Sequence, residues 1–292
     1  MLLCTLPAHA GTVVTDTVVS QTVHTQSHVP VTFGQIFKDG DVSHGTTLTA
    51  TLNGKPIPLQ VDVKATNPDG SLRHAVLTVM APSLSGNAKW PLTLATGSSA
   101  VSTGLHAPIM LSQLLATDYD ARVSLSLDGK NYTATARALL QAAHNASACK
   151  AWNPQCNVWL AGPLASAWVV NGPVVASDGT TNPTLRIYFA VRAYAGTTPG
   201  TVGSVRTDII VENTNAFAPQ AQPQYTATLT SGSASYTSPA LTQYTATRWH
   251  KVLWWNNAQP QVYLQQDTQY ILHSFPIRRS SDLGRASCRE RV

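Results

Sequence analysis

The sequence predicts an all-β protein built from two antiparallel units in tandem, and three features predict it. Ile57, Leu59, Val61, Val63 and Ala65 alternate with Gln60, Asp62 and Lys64, the period-two pattern of a half-buried strand. The run Asn67, Pro68, Asp69, Gly70 follows; proline presets φ and glycine supplies a left-handed residue, so the chain reverses into a second strand over Leu72 to Met80. Further on, Leu185, Ile187, Phe189 and Val191 alternate with Arg186, Tyr188 and Arg192, and Thr207, Ile209 and Val211 alternate with Arg206, Asp208 and Glu212. Paired antiparallel, these two give one apolar and one charged face, as in a sheet of a β-sandwich.

The remaining elements follow in order. Val13 to Thr25 and His28 to Phe37 read as strands, and Leu48 to Leu52 leads through Asn53-Gly54 toward the Ile57 strand. The first unit is expected over residues 11–100, closing at the Gly- and Ser-rich run 97–104. Residues 101–120 form a linker with a short helix over Pro108 to Ala116, whose Ile109, Leu111, Leu114 and Leu115 carry helical spacing. The second unit, 121–272, opens with strands over Arg122 to Leu127 and Tyr132 to Ala136 around the Asp128-Gly129 turn. Asp69 and Arg73 are expected to fix the 67–70 hairpin.

Both ends are read apart from the fold. Met1 to Ala10 (MLLCTLPAHA) has an apolar stretch followed by Ala8-His9-Ala10, the form of a signal peptide remnant with its cleavage box. His273 to Leu283 (HSFPIRRSSDL) and Gly284 to Val292 (GRASCRERV) resemble the translation of a sequencing adapter in its two orientations, so residues 273–292 are set aside as an artefact. That segment carries five arginines against Asp282 and Glu290, and without it the formal charge of +5 falls to +2. The basic balance therefore gives no argument for a nucleic-acid partner. No run of about 18 apolar residues suggests a membrane span. No P-loop or GxGxxG motif points to a cofactor.

Of the four cysteines, Cys4 lies in the remnant and Cys288 in the artefact. Cys149 and Cys156 remain, closing a short loop, and in a secreted or periplasmic protein they are expected to form a disulfide.

Several runs resemble a known family. Val29–Phe37 (VPVTFGQIF), Gly40–Val42, Pro58–Ala65 (PLQVDVKA) and Pro68–Ala75 (PDGSLRHA) are similar to the N-terminal RIFT-barrel domain of exo-acting rhamnogalacturonan lyase-like proteins. Trp159–Pro163 (WLAGP), Phe189–Arg192 (FAVR), Val211–Asn213 (VEN) and Arg248–Trp255 (RWHKVLWW) resemble the β-sandwich that follows it. The resemblance implies a small antiparallel barrel followed by an antiparallel β-sandwich, and a C-terminal (α/α) toroid domain, absent from this chain, that holds most of the active cleft.

Candidate site residues concentrate in one segment. Polysaccharide β-elimination needs a base and a cation, and Tyr244, Arg248, His250 and Lys251 are of the right types. In an extended strand, however, Arg248 and His250 face one way and Trp249 and Lys251 the other, so no residue is assigned a catalytic role. Trp249, Trp254 and Trp255, with Arg248 and His250, are the carbohydrate-contact candidates, since an indole face suits a pyranose ring. The competing reading makes these tryptophans sandwich core or the seat of the toroid domain. Arg186, Arg192, Asp208 and Glu212 suit either acidic sugars or cross-strand ion pairs. Asp39 and Asp41 supply too few oxygens for calcium, and His24, His28, His44 and His74 are scattered, so no metal site is expected.

The functional expectation is a non-catalytic β region of a secreted polysaccharide-degrading protein, in contact with polysaccharide or with the toroid domain. The alternative is a structural or adhesive β module of a virion or cell surface. Mass spectrometry of the exported protein is expected to find Cys149 and Cys156 bonded, a link worth at most about 3 kcal/mol for so short a loop; two free thiols overturn this.

Overall fold

Period-two alternation builds three sheets in the computed structural model, which describes residues 11–97, 107–145, 157–198, 200–213, 221–257 and 259–266. The 1–10 and 273–292 segments and both Cys149 and Cys156 lie outside the described residues. The first part of the chain holds seven strands: β1 (Thr12–Ser20), β2 (Gln26–Ile36), β3 (Leu48–Leu52), β4 (Lys55–Ile57), β5 (Leu59–Thr66), β6 (Leu72–Leu84) and β7 (Lys89–Thr96). Then come α1 (Leu111–Leu115), β8 (Ala121–Leu127), β9 (Lys130–Thr135), α2 (Ala136–Asn145), β10 (Asn157–Ala161), β11 (Ala165–Ala176), β12 (Thr181–Ala195) and β13 (Val202–Asn213). β14 (Gln224–Ser231), β15 (Ala234–Thr237), β16 (Leu241–Thr242), β17 (Thr247–Trp255) and β18 (Val262–Gln265) complete the chain.

In the first unit a three-stranded sheet ordered β2-β6-β5 and a five-stranded sheet ordered β18-β1-β7-β3-β4 enclose one core, with Leu77, Val79, Leu84, Leu92 and Leu94 fully buried. The expected strand across Ile57 is broken at Pro58, which has no N–H to give to a ladder. β4 pairs with β3 in one sheet, while β5 pairs with β6 in the other, so Pro58 marks a corner. Asn53 and Gly54 have φ of 50° and 74°, the left-handed pair of a type I′ hairpin turn, and Asp128 and Gly129 repeat the device at 50° and 72°. The Asn67–Gly70 turn is secured by Asp69, whose Oδ1 accepts from Ser71 N at 2.8 Å and Ser71 Oγ at 2.6 Å. These bonds hold the Asp69 carboxyl below the usual range. Arg73, expected to share the task, is exposed, and its backbone carbonyl accepts from Phe37 N instead.

The second unit is a ten-stranded sheet whose main path runs β15-β14-β8-β9-β11-β12-β13-β17. The two layers expected of the sandwich thus come from one sheet, curved until it nearly closes on itself. Its core holds Phe189, Ile187, Ile209, Leu125 and Tyr119. Leu114 of α1 and Leu140 of α2 join that core. α1 matches the expected short helix, whereas α2 had no counterpart in the alternation pattern. Its Ala-, Leu-, Arg- and Gln-rich sequence favours helix, and Thr135 Oγ1 accepts from Ala138 N at 3.3 Å at its start. Arg137 fastens the two helices by donating to the carbonyls of Leu115, Thr117 and Tyr119 at 2.6, 2.8 and 3.0 Å.

Two placements differ from expectation. β18 pairs with β1, Thr17 opposite Gln265 and Ser20 opposite Val262, so the last strand of the 121–272 span belongs to the first unit's sheet. It covers an edge that would otherwise leave ladder groups unpaired. On β5 the apolar residues Val61 and Val63 are 36% and 55% exposed, while Gln60 is only 5% exposed. Val61 and Val63 do share a face with Leu77 and Ala75 of the core, but β5 is the edge of its sheet. Its polar face is the one covered, by the second unit.

That contact is specific. Gln60 Oε1 accepts from Leu164 N at 2.9 Å and Ala165 N at 2.8 Å, while its Nε2 donates to Ala165 O at 2.8 Å. Asp62 Oδ1 accepts from Ala161 N at 3.0 Å, and Lys64 Nζ donates to Trp159 O. Gly162 leaves room for the amide, since a Cβ there would lie 2.1 Å from Gln60 Cδ and push the side chain out of the ladder. Beside this ladder Val76 and Met80 of the first unit pack with Leu160, Ala165, Ala167 and Tyr194 of the second. Gln60→Met keeps the volume but strands the buried N–H and carbonyl of Ala165 and the part-buried N–H of Leu164, so it is expected to cost about 3 kcal/mol in urea denaturation; a change below about 0.5 kcal/mol would refute the ladder's importance.

Candidate functional site

β17 carries the segment that sequence singled out, and its neighbours decide what each side chain does. It pairs with β13, which pairs with β12, which pairs with β11. On the outward face, register places Asn171, Tyr188, Ile210 and His250 in one row and Arg186, Glu212 and Arg248 in the next. His250 Nδ1 lies 2.8 Å from Asp208 Oδ1, and Arg206 Nη2 lies 3.7 Å from Asp208 Oδ2. Arg248 Nη1 is 3.5 Å from Glu212 Oε1, and Arg186 Nε donates to Asn171 Oδ1 at 2.7 Å. His250 and Arg248 thus pair across strands with carboxylates of β13, while Arg206 meets Asp208 along its own strand. Arg248 and His250 remain exposed and within reach of a ligand on this face.

The strand's other face turns inward. Trp255 is 7% exposed and stands edge-on to Tyr119, ring centres 6.1 Å apart. Burial in the core removes it from the ring faces open to a sugar. Trp249 is partly buried and donates from Nε1 to the Tyr225 hydroxyl at 2.8 Å. Tyr225 in turn donates to Gln243 Oε1, and Gln243 Nε2 donates to Val211 O and Thr247 O, both at 3.0 Å. Lys251 sits at the rim of this side, its Nζ 4.6 Å from the Tyr236 ring centre. Trp254 is on the outward face but stacks on Tyr194, with centres 5.7 Å apart and planes 7° from parallel, at the seam between the units. Tyr244, 58% exposed, has no contact with Arg248 or His250 among the hydrogen bonds and ion pairs of the described residues. Arg248 and His250 thus lie on one face of β17 and Lys251 on the other.

Among the described residues the most open indole lies elsewhere. Trp159, on β10, is 47% exposed, and Lys64 Nζ lies 4.3 Å from its ring centre. Sequence reasoning met Trp159 only within a motif; the signal that could have flagged it is its place beside Val158 on a short strand, two adjacent large apolar residues of which at least one must face outward.

Among the described residues no group of three or more His, Cys, Asp and Glu side chains is placed to hold a metal ion, and no helix is long and apolar enough to cross a membrane.

A small barrel of two sheets joined to one nearly closed sheet defines an all-β protein of the barrel-plus-sandwich class. Within it, residues 19–89 match the family model of the PcRGLX-like N-terminal RIFT barrel domain. The matched span runs from the end of β1 to the first residue of β7 and agrees with the resemblance to rhamnogalacturonan lyase-like proteins drawn from the sequence motifs. No curated protein matches the chain.

The Tyr225 network generates a test. Burial pushes the Tyr225 phenol up to about 12, with the Trp249 bond opposing, and burial raises Tyr119 further. A folded-state value above the unfolded one near 10 means that stability is intact below pH about 10 and declines as pH rises toward 12. Phenolate absorbance and far-ultraviolet circular dichroism are expected to show the last tyrosines ionising together with loss of β signal. In a Tyr225→Phe variant that coupled signal should shrink; complete ionisation near pH 10 with the fold intact would contradict the network.

Proposed function

We propose that this chain is the non-catalytic N-terminal β region of a secreted, rhamnogalacturonan lyase-like protein, a scaffold that seats a catalytic (α/α) toroid domain and itself contacts carbohydrate. The observation that carries the reading is the RIFT-barrel match over residues 19–89. The chemistry of β17 supports it. His250 and Arg248 each engage a carboxylate of β13, and Lys251 lies on the opposite face, so the segment lacks the convergent base and cation that β-elimination requires. What Arg248, His250 and the neighbouring Tyr188 offer is an exposed, hydrogen-bonding sheet face suited to the hydroxyls of a glycan. Trp254 holds the seam rather than a ligand.

Incubation of the purified chain with rhamnogalacturonan and other uronate polymers is expected to yield no rise in the ultraviolet absorbance of unsaturated products. Calorimetric titration with oligosaccharides is expected to detect weak binding, on the order of millimolar. Sustained turnover abolished by His250→Ala would overturn the non-catalytic reading, and absence of any binding would overturn the carbohydrate contact.

A further inference from the structure

The contact between β5 and β10 does more than join two units. Gln60, Asp62 and Lys64 alternate along one face of β5, and each meets backbone of the β10–β11 hairpin. The last of the three brings its ammonium to the carbonyl of Trp159 and over the same residue's ring, 4.3 Å from the centre. Trp159 stands at a bulge of β10, between Val158 and Leu160, which pair with Trp168 and Ala167 of β11; Lys64 approaches its ring, and the residue is 47% exposed. Lys64 forms no ion pair with a carboxylate of the described residues. Its ammonium meets a carbonyl and a π face.

We propose that Trp159 and Lys64 form a second carbohydrate-binding site, an aromatic platform that takes a pyranose ring with an oxygen substituent turned toward the Lys64 ammonium. This rests on the carbohydrate reading above and places a contact where neither the β17 segment nor the family match does. The indole meets the C–H face of the sugar, which needs flat, amphipathic, immobile surface. The ammonium donates to a hydroxyl or, more strongly, to a carboxylate. Because the platform joins residues of both units, its geometry exists only while the Gln60 and Asp62 ladder holds them, and binding loses little to ordering of side chains already fixed.

Calorimetric titration of the full chain with neutral and with carboxylated oligosaccharides of equal length tests this. The carboxylated series is expected to bind more tightly, Trp159→Ala to weaken both by about tenfold, Trp159→Phe to restore part of the loss, and Lys64→Met to remove the preference for the carboxylate. Unchanged melting curves for Trp159→Ala, an exposed position, separate binding from folding. Equal binding by Trp159→Ala, with loss in Arg248→Ala and His250→Ala, would overturn the platform while leaving the proposed function standing. No binding by the parent chain would overturn both. Concentration-dependent dimerisation abolished by Trp159→Ala, without sugar binding, would show the patch to be a protein contact and overturn the site.

Discussion

Gln60 lies between two hydrophobic cores, and its side-chain amide satisfies the N–H groups of Leu164 and Ala165 and the carbonyl of Ala165. Backbone groups buried at a junction cannot turn to water, so a polar side chain with one donor end and one acceptor end meets the need. The rest of the seam is arranged around that requirement. Gly162 gives the amide room, Asp62 accepts from Ala161 N, and the small apolar cluster of Val76, Met80, Leu160 and Tyr194 excludes solvent alongside. β18 returns to the first sheet, so the chain crosses between units twice and ties them covalently as well as by packing.

The curvature of the second sheet settles the fate of the tryptophans. A strand in a flat sheet open on both faces would leave Trp249 and Trp255 available. Here β17 faces β14 and β15 across the core, and the ring of Trp255 meets Tyr119 while Trp249 enters a hydrogen-bond network with Tyr225 and Gln243. Indole N–H groups taken out of water need acceptors, and the Tyr225 hydroxyl serves Trp249 in this way. Trp254, on the other face, finds a parallel partner in Tyr194. The charged outward face is left with paired residues, Asp208 shared by Arg206 and His250 and Glu212 facing Arg248. Of these groups only Arg248 and His250 are exposed, while Asp208 and Glu212 are largely covered, so a ligand's own oxygens can compete for those two side chains.

Much was legible in the sequence, because its signals are local. The Asn53-Gly54, Asn67–Gly70 and Asp128-Gly129 turns follow from the few residue types that tolerate positive φ. The alternation of Leu185 to Val191 and of Thr207 to Val211 follows from the two-residue period of a strand, and both runs bury the face the pattern assigns to the core. The motifs near residues 29–75 sufficed to point to the RIFT barrel. Strand periodicity by itself also separates Arg248 and His250 from Lys251.

Tertiary structure decided what lies against each face, which no local pattern encodes. Alternation on β5 distinguishes two faces but not which one a neighbour covers. Val61 and Val63, at a sheet edge, stay exposed, while Gln60 is buried because a hairpin about a hundred residues later supplies the complementary backbone groups. Pro58 divides one predicted strand between two sheets, and β18 joins a sheet whose other strands precede it by most of the chain. The three tryptophans of β17 are chemically alike in sequence, yet core, network and seam claim one each, and among the described residues the most open indole is Trp159. The physical reason is common to all of these: burial depends on long-range partners, whose identity is set by sheet curvature and docking rather than by the residues adjacent in the chain.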